Sequence, residues 1–313
     1  MNALCIDFGG TVIKFGIFNG AEALVTESLP NTGDRADLER VAGIVHGWGL
    51  PFGSAGIAVP GIVDRANSAL LKAHGKYEWA TGVNLDEWTR SAFGVPAAVE
   101  NDGRAACLGE ARLGAAAGSD DVVMVTLGTG IGSSAVIQGK LLVGGTGHAG
   151  VLGGHFTVDL NGPACNCGNI GCAEAVASSW ALERDCTEDP RLAAALGHTA
   201  DSPARILDLF TNRDHDDARP TFDRFISAWV AAIVNLCHAY DPAVVIVAGG
   251  VLGSKDLLLP LLRDRVHARL WSSSPRPEFR TPDRPEHSVL LGLSAAASDL
   301  RAAAAPLSEG MNS

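Results

Sequence analysis

The sequence predicts an α/β protein of two similar domains, each opening with a strand, a glycine turn and a second strand. The first observation behind this is an internal repeat. Residues 122–128 (VVMVTLG), the turn TGIG at 129–132, the apolar stretch 133–137 and the turn Gln138-Gly139 match residues 3–20 at a constant offset, 128 − 9 = 119. At that offset Gly9 meets Gly128, Thr11 meets Gly130, Ile17 meets Val136 and Gly20 meets Gly139. A self-similarity of this kind signals a duplicated unit. The second observation is bulk composition. With 313 residues, 47% hydrophobic and 19% charged, the chain has enough apolar side chain for two cores of ordinary size.

In order along the chain, residues 3–8 and 12–18 read as buried strands, and Asn19-Gly20 suits a type I′ turn into a third strand near Ala23–Glu27. Residues 38–48 read as a helix and Gly56–Val59 as a strand. The stretch 66–95 reads as irregular, with Trp79 and Trp88 as packing anchors. Ala97–Val99 is a strand running into Glu100-Asn101-Asp102-Gly103, and 104–117 is helical. Asp102 therefore sits at a strand-to-helix switch, where α/β sheets place ligands. Its competing reading is helix capping, which Asp performs well.

In the second half, 173–186 and 203–211 read as helices and 187–202 as loop. Residues 220–239 form a long helix, Val244–Ala248 a buried strand ending at Gly249-Gly250, and 256–270 another helix. Four prolines make 272–287 a surface loop. A helix over 294–304 returns to the first domain, and Met311–Ser313 are expected to be disordered. The domains are then 1–118 with the C-terminal segment 294–313, and 119–293.

Chemistry concentrates between His148 and Glu174. Cys165, Cys167 and Cys172 lie within eight residues, and His155 precedes Cys165 by ten. Three thiolates and one imidazole fill a tetrahedral Zn²⁺ with no open position, the make-up of a structural site. Disulfide pairing is the weaker reading, since the seven cysteines are odd in number and no signal peptide precedes them. Cys5, Cys107, Cys186 and Cys237 sit among apolar neighbours and read as small buried hydrophobes, consistent with a reducing cytosol. The two glycine turns can offer amide groups to a polyphosphate from both sides, with donors added by Lys14, Thr11 and Thr129 and with Asp7 placed to hold Mg²⁺ through water. The balance of 24 basic against 35 acidic residues disfavours nucleic acid. No apolar run approaches the ~20 residues that span a bilayer. The expectation is a cytoplasmic protein.

The runs D-F-G-G-T at 7–11, E-N-D-G at 100–103, L-G-T-G-I-G at 127–132, G-H at 154–155 and C-N-C-G-N-I-G-C-A-E at 165–174 together resemble the ROK family of sugar kinases and related repressors, over almost the whole chain. The resemblance implies the two-domain actin-like ATPase (ribonuclease H-like) fold and ATP-dependent phosphorylation of a sugar hydroxyl. It also implies a homodimer. By motif, Asp102 would be the general base and Asn101 a sugar ligand. Glu174 would accept from ring hydroxyls, and His155 would bind zinc through one ring nitrogen and sugar through the other. Gly9, Gly10, Thr11, Thr129 and Gly130 would cradle phosphate, and Gly249 and Gly250 would let adenosine approach the backbone.

One departure stands out. The family usually carries a glutamate three residues before the zinc histidine, in G-E-x-G-H, where it binds the sugar near its anomeric end. This chain reads A-G-V-L-G-G-H, so Val151 or Leu152 takes that place, and no carboxylate occurs from Gly144 to His155. The expectation is an altered sugar, or His148 filling in. Two alternatives to the kinase follow from the same resemblance: a sugar-binding protein that has lost catalysis, and a sugar-responsive repressor. The repressors carry an extra N-terminal DNA-binding domain, whereas here the first phosphate strand begins by residue 3.

Overall fold

The computed structural model describes residues 1–65, 67–72, 77–199, 201–271 and 275–304. The chain divides into two compact units, Met1–Ala117 together with the segment from Glu286 onward, and Gly118–Pro285.

The first unit opens with β1 (Ala3–Phe8), β2 (Val12–Asn19) and β3 (Glu22–Pro30), followed by α1 (Ala36–Trp48) and β4 (Ser54–Val59). A small pair, β5 (Ile62–Asp64) and β6 (Ala69–Lys72), precedes α2 (Leu85–Phe93), β7 (Ala97–Asn101) and α3 (Asp102–Arg112). Its sheet runs β3-β2-β1-β4-β7, antiparallel through the hairpin strands and parallel from β1 to β7. All six residues of β4 are buried, as a strand covered on both faces requires.

The second unit repeats the plan. It comprises β8 (Val122–Leu127), β9 (Ile131–Ile137), β10 (Lys140–Leu141), α4 (Ala173–Ala177), α5 (Ser179–Glu188), α6 (Pro190–Leu196), α7 (Ile206–Thr211), α8 (Arg219–Tyr240), β11 (Val244–Ala248), α9 (Lys255–His267) and β12 (Glu278–Arg280). Sheet order is β10-β9-β8-β11-β12, the same succession of hairpin and parallel strands. The duplicated mixed-sheet core read from the repeat is present in both halves. Trp229 of α8 is fully buried in this unit's core and donates its Nε1–H to the Ala177 carbonyl at 2.8 Å.

The last helix, α10 (Ser288–Ala304), belongs to the first unit and starts at residue 288 rather than at 294 as the sequence suggests. It lies so close to α3 that a methyl group on Gly292 would overlap the Ala105 carbonyl. At their crossing, buried Ser288 donates to Glu110 at 2.5 Å.

Several local expectations are corrected. The stretch 66–95 is not irregular, for it holds β6 and α2. Asn84 caps α2 by accepting from the Glu87 amide, and Gly94 ends it at φ 73°, both signals present in the sequence. The loop read at 187–202 contains α6, capped by Asp189 with Pro190 in its first turn and Gly197 past its end. The helix expected over 173–186 is broken at Ser178, whose extended backbone starts α5. The proline-rich stretch 272–287 contributes β12, which pairs with β11. The turn at Asn19-Gly20 is not type I′, since Asn19 closes β2 and only Gly20 has positive φ. Its repeat at Gln138-Gly139 does have both residues there, at 51° and 70°. The terminal residues 311–313 lie outside the described residues. Among the described residues no helix is long and apolar enough to cross a membrane.

Substituting Gly292 by Ala should force α3 and α10 apart and cost about 1–3 kcal/mol, the usual range for overpacking. Thermal unfolding followed by circular dichroism would register this as a lowered Tm with native helix content; an unchanged Tm would show that the crossing yields freely.

Candidate functional site

In the first unit the turn between β1 and β2 carries Gly9, Gly10 and Thr11. A side chain on Gly9 would press on the Val12 carbonyl at 2.6 Å, so packing demands glycine there. A side chain on Gly10 would meet nothing within 4 Å, and its backbone is not left-handed. The fold therefore gives no reason for glycine at 10, whereas close approach of a ligand does. Two residues that the motifs do not include hold this turn. Asn31 Nδ2 donates to the Gly9 carbonyl at 3.0 Å, and the Tyr77 hydroxyl donates to the same oxygen at 2.8 Å. Both lie far away in sequence in unremarkable contexts, so only the three-dimensional structure reveals them.

Asp7, at the end of β1, pairs across the hairpin with Lys14. Burial, then the negative charge of Asp102, push its carboxyl up to about 7, and Lys14 pulls the other way. A carboxyl whose proton affinity is raised by a second carboxylate nearby offers a place for a divalent cation, and Mg²⁺ suits it as a hard ion with oxygen ligands.

Asn101 and Asp102 divide the work at the junction of β7 and α3. Asn101 caps the helix, its Oδ1 accepting from the Arg104 amide at 3.1 Å. The capping alternative for Asp102 thus falls to its neighbour. Asp102 Oδ1 accepts from the Gly103 amide and from Asn101 Nδ2, at 2.8 and 2.9 Å. Burial raises its pKa against the opposing pull of these bonds. Glu100, the first residue of the motif, is 2% exposed and forms an ion pair with Arg65 at 3.2 Å. Its role is to anchor the motif from inside.

In the second unit, His155, Cys165, Cys167 and Cys172 come together with all ligand atoms within 4.8 Å of one another. His155 Nδ1 lies 3.6 Å from Cys165 Sγ, and Cys167 Sγ lies 3.7 Å from Cys172 Sγ. A tetrahedron with bonds of about 2.3 Å to sulfur and about 2.05 Å to nitrogen has S–S edges of about 3.8 Å and S–N edges of about 3.6 Å. The cluster therefore fits Zn²⁺ in both donor set and size. Burial pushes the Cys172 thiol up to about 12, so its thiolate needs a cation beside it. Because Nδ1 faces the thiols, Nε2 of His155 is the nitrogen left to meet another group.

Glu174 projects from the first turn of α4. Its Oε2 accepts from the Ile131 amide at 2.8 Å, and its Oε1 accepts from Trp180 Nε1 at 3.4 Å. It thus touches the second glycine turn, which carries the exposed Thr129 and the half-buried Gly130. Gly249, at φ 100°, packs against Leu127, and a side chain there would overlap backbone. A methyl group on the adjacent Gly250 would meet nothing within 4 Å, which makes it the same unforced glycine as Gly10. Beyond Gly250 the chain makes a 3₁₀ turn through Ser254, beside a cavity of about 240 Å³ lined by Phe210, Thr211, Arg213, Gly253, Ser254, Asp256 and Leu257.

Counting back from His155 brings Leu152 to the position of the absent glutamate. Leu152 is 44% exposed, and Val151 is half-buried. His148 spends Nδ1 on Thr146 Oγ1 at 3.1 Å.

The ROK family model matches residues 3–299. A glucokinase of Thermotoga maritima is 33% identical, over 83% of this chain and 86% of its own. The xylose repressor of Bacillus subtilis is 29% identical over 71% of this chain, which spans 55% of the repressor's length. A solved ROK family glucokinase from Streptomyces griseus, in complex with glucose and AMPPNP, superposes with a TM-score of 0.76 at 28% identity, covering 96% of this chain and all of that one. The fold is the actin-like ATPase fold shared by these sugar kinases.

One zinc per chain is expected in protein purified without chelator, measured by inductively coupled plasma mass spectrometry. Cys167→Ser should lose most of it. Wild-type protein with well below one zinc per chain would remove the metal centre.

Proposed function

The chain belongs to the ROK family, and from that premise we propose that it is an ATP-dependent kinase for a hydroxyl of a hexose or hexose derivative. The observation that carries this reading is the carboxylate of Asp102. It lies at a strand end, it is relieved of capping by Asn101, and its Oδ1 takes the bonds from both Gly103 and Asn101. Oδ2 is then available to a substrate hydroxyl.

Phosphoryl transfer asks the protein mainly for positioning and charge neutralisation. Asp102 Oδ2 accepts the hydroxyl proton as the sugar oxygen forms its bond to the γ-phosphorus and the bond to the β–γ bridging oxygen breaks, releasing ADP. Asn101, His155 Nε2 and the remaining lone pairs of Glu174 hold sugar hydroxyls. Amides of the two glycine turns (Gly9, Gly10 and Thr11; Thr129 and Gly130) receive phosphate oxygens, with Lys14 as a fixed positive charge. Gly249 and Gly250 let adenosine approach, its base entering the cavity beside Phe210 and Arg213. Asp7 is the residue for Mg²⁺, which supplies charge neutralisation on the phosphates when bound. Zinc would be held by His155, Cys165, Cys167 and Cys172, and with all four positions taken by protein it would serve as a structural ion.

Glucokinases and an N-acetyl-D-glucosamine kinase of Vibrio cholerae among the relatives support a hexose-type substrate. Leu152 supports one that differs from glucose near its anomeric end, because a hydroxyl facing an apolar side chain loses water and gains no partner. The similarity to a xylose repressor supports a second reading, a protein that binds sugar without turning it over.

An ADP-release assay over a panel of hexoses, amino sugars and N-acetylated sugars decides between them. The kinase reading expects turnover on at least one sugar, and calorimetric sugar binding with no turnover would favour the regulator. Asp102→Asn is expected to retain sugar and nucleotide binding while losing ~10²–10⁴ in kcat, the usual cost of a lost general base. In the wild type the acid limb of kcat/KM should lie above the ordinary carboxylate range, since the base must be ionised and burial raises its pKa. A near wild-type kcat in the mutant would reduce Asp102 to a local hydrogen-bonding residue.

Leu152→Glu should lower the KM for glucose by on the order of 10-fold, the worth of one hydrogen bond to a charged group, and raise it for the best wild-type substrate. Equal steady-state kinetics on both sugars would show that position 152 does not read the substrate.

A further inference from the structure

The second glycine turn is held almost entirely by the segment that carries the zinc ligands. Glu174, two residues after Cys172, accepts from the Ile131 amide at 2.8 Å. The same Oε2 would stand 2.6 Å from a side chain placed on Gly130, so carboxylate and turn are in van der Waals contact. On the other side, Gly154, next to the ligand His155, packs so tightly on the Ile131 carbonyl that a side chain would overlap it. The Gly128 carbonyl accepts from the Ser179 amide at 2.9 Å, and the Gly128 amide donates to the Gly130 carbonyl at 3.1 Å. The amides of Thr129 and Gly130 remain for a ligand.

Trp180 closes the connection. Its ring packs with Cys165 and Cys172 in one small apolar cluster, its Nε1–H donates to Glu174, and the Arg184 guanidinium lies 5.7 Å over its face. Metal ligands, indole, carboxylate and turn form one contiguous set of contacts within the second unit.

We propose that Glu174 is a positioning residue for the turn Gly128–Ile131, through which the metal-ligand knot fixes the direction of the amides that receive the nucleotide's phosphates. The inference rests on the kinase reading for its choice of ligand, and it extends Glu174 beyond contact with sugar. A carboxylate suits the task because it accepts from two donors at once without donating, so the turn and the indole are fixed against each other.

The test uses the full-length zinc-loaded protein and binding of AMPPNP with Mg²⁺ by calorimetry, without sugar. Glu174→Ala is expected to weaken AMPPNP about 10-fold, the size of one lost charge-assisted hydrogen bond, while zinc stays at one per chain. Glu174→Gln keeps an acceptor for Ile131 and should recover most of that loss, a rescue that mere destabilisation would not give. Trp180→Phe keeps the packing but removes the donor, and should shift the backbone amide resonances of Gly130 and Ile131. If Glu174→Ala leaves AMPPNP affinity unchanged and raises only the sugar KM, Glu174 is a sugar ligand and the proposal is wrong. If the wild type binds AMPPNP and Glu174→Ala weakens it, but no sugar is phosphorylated, the proposal stands and the kinase reading fails.

Discussion

The bond from the Ile131 amide to Glu174 joins two motifs that lie 43 residues apart and share no secondary structure. Without it, the glycine turn after β8 would keep only the bond from the Ser179 amide to Gly128 and the packing of Gly154 on Ile131. With it, the turn is referenced to a covalently short loop that a metal can stiffen far more than hydrogen bonds alone. A structural zinc contributes folding energy directly, because its ligands are not assembled in the unfolded chain. That stiffness is useful only if something rigid transmits it. The buried cluster of Cys165, Cys172 and Ala175, with the half-buried Trp180 packed against it, does so at close packing.

The sequence is most legible where chemistry forces residue type. Three cysteines and a histidine at close spacing announce a tetrahedral metal site, and their geometry matches one. The repeat at an offset of 119 announces two sheets of like order, because a duplicated hairpin must be completed by like strands. What escapes are elements whose signals are capping residues rather than periodicity. Helix α2 is short, and its apolar face is interrupted by charge, yet Asn84, Glu87 and Gly94 mark both of its ends. Helix α6 is hidden in the same way between Asp189 and Gly197. Strand β12 has three residues and follows prolines, so nothing in its own sequence outweighs the turn signals around it; its pairing with β11 makes it a strand. Asn31 and Tyr77 are beyond reach, because their task is defined by a carbonyl far along the chain.

The glycines show how structure refines a motif. Gly9 and Gly249 are demanded by neighbouring backbone atoms, so their presence says little about a ligand, whereas a side chain on Gly130 would meet only the carboxylate of Glu174. Gly10 and Gly250 have no such neighbours, and they are the positions where an absent side chain speaks of something else approaching. A similar sorting separates Glu100, Asn101 and Asp102. The first is an internal anchor, the second a cap, and the third is left with an uncommitted oxygen, although all three sit in one short run.

Helix α10 has a consequence for biogenesis. It covers an apolar patch of Ala3, Cys5, Phe18 and Ala58, to which it adds Leu290, Leu291, Leu293 and Ala297. A ribosome finishes the whole second unit before it delivers these leucines. At ordinary elongation rates the first sheet waits roughly 10–40 s with that face uncovered. The unit begun first is therefore the unit completed last, and the nascent protein carries a sticky, half-built sheet through most of its synthesis. Chaperones that shield apolar surface at the exit tunnel are the natural companions of such a chain.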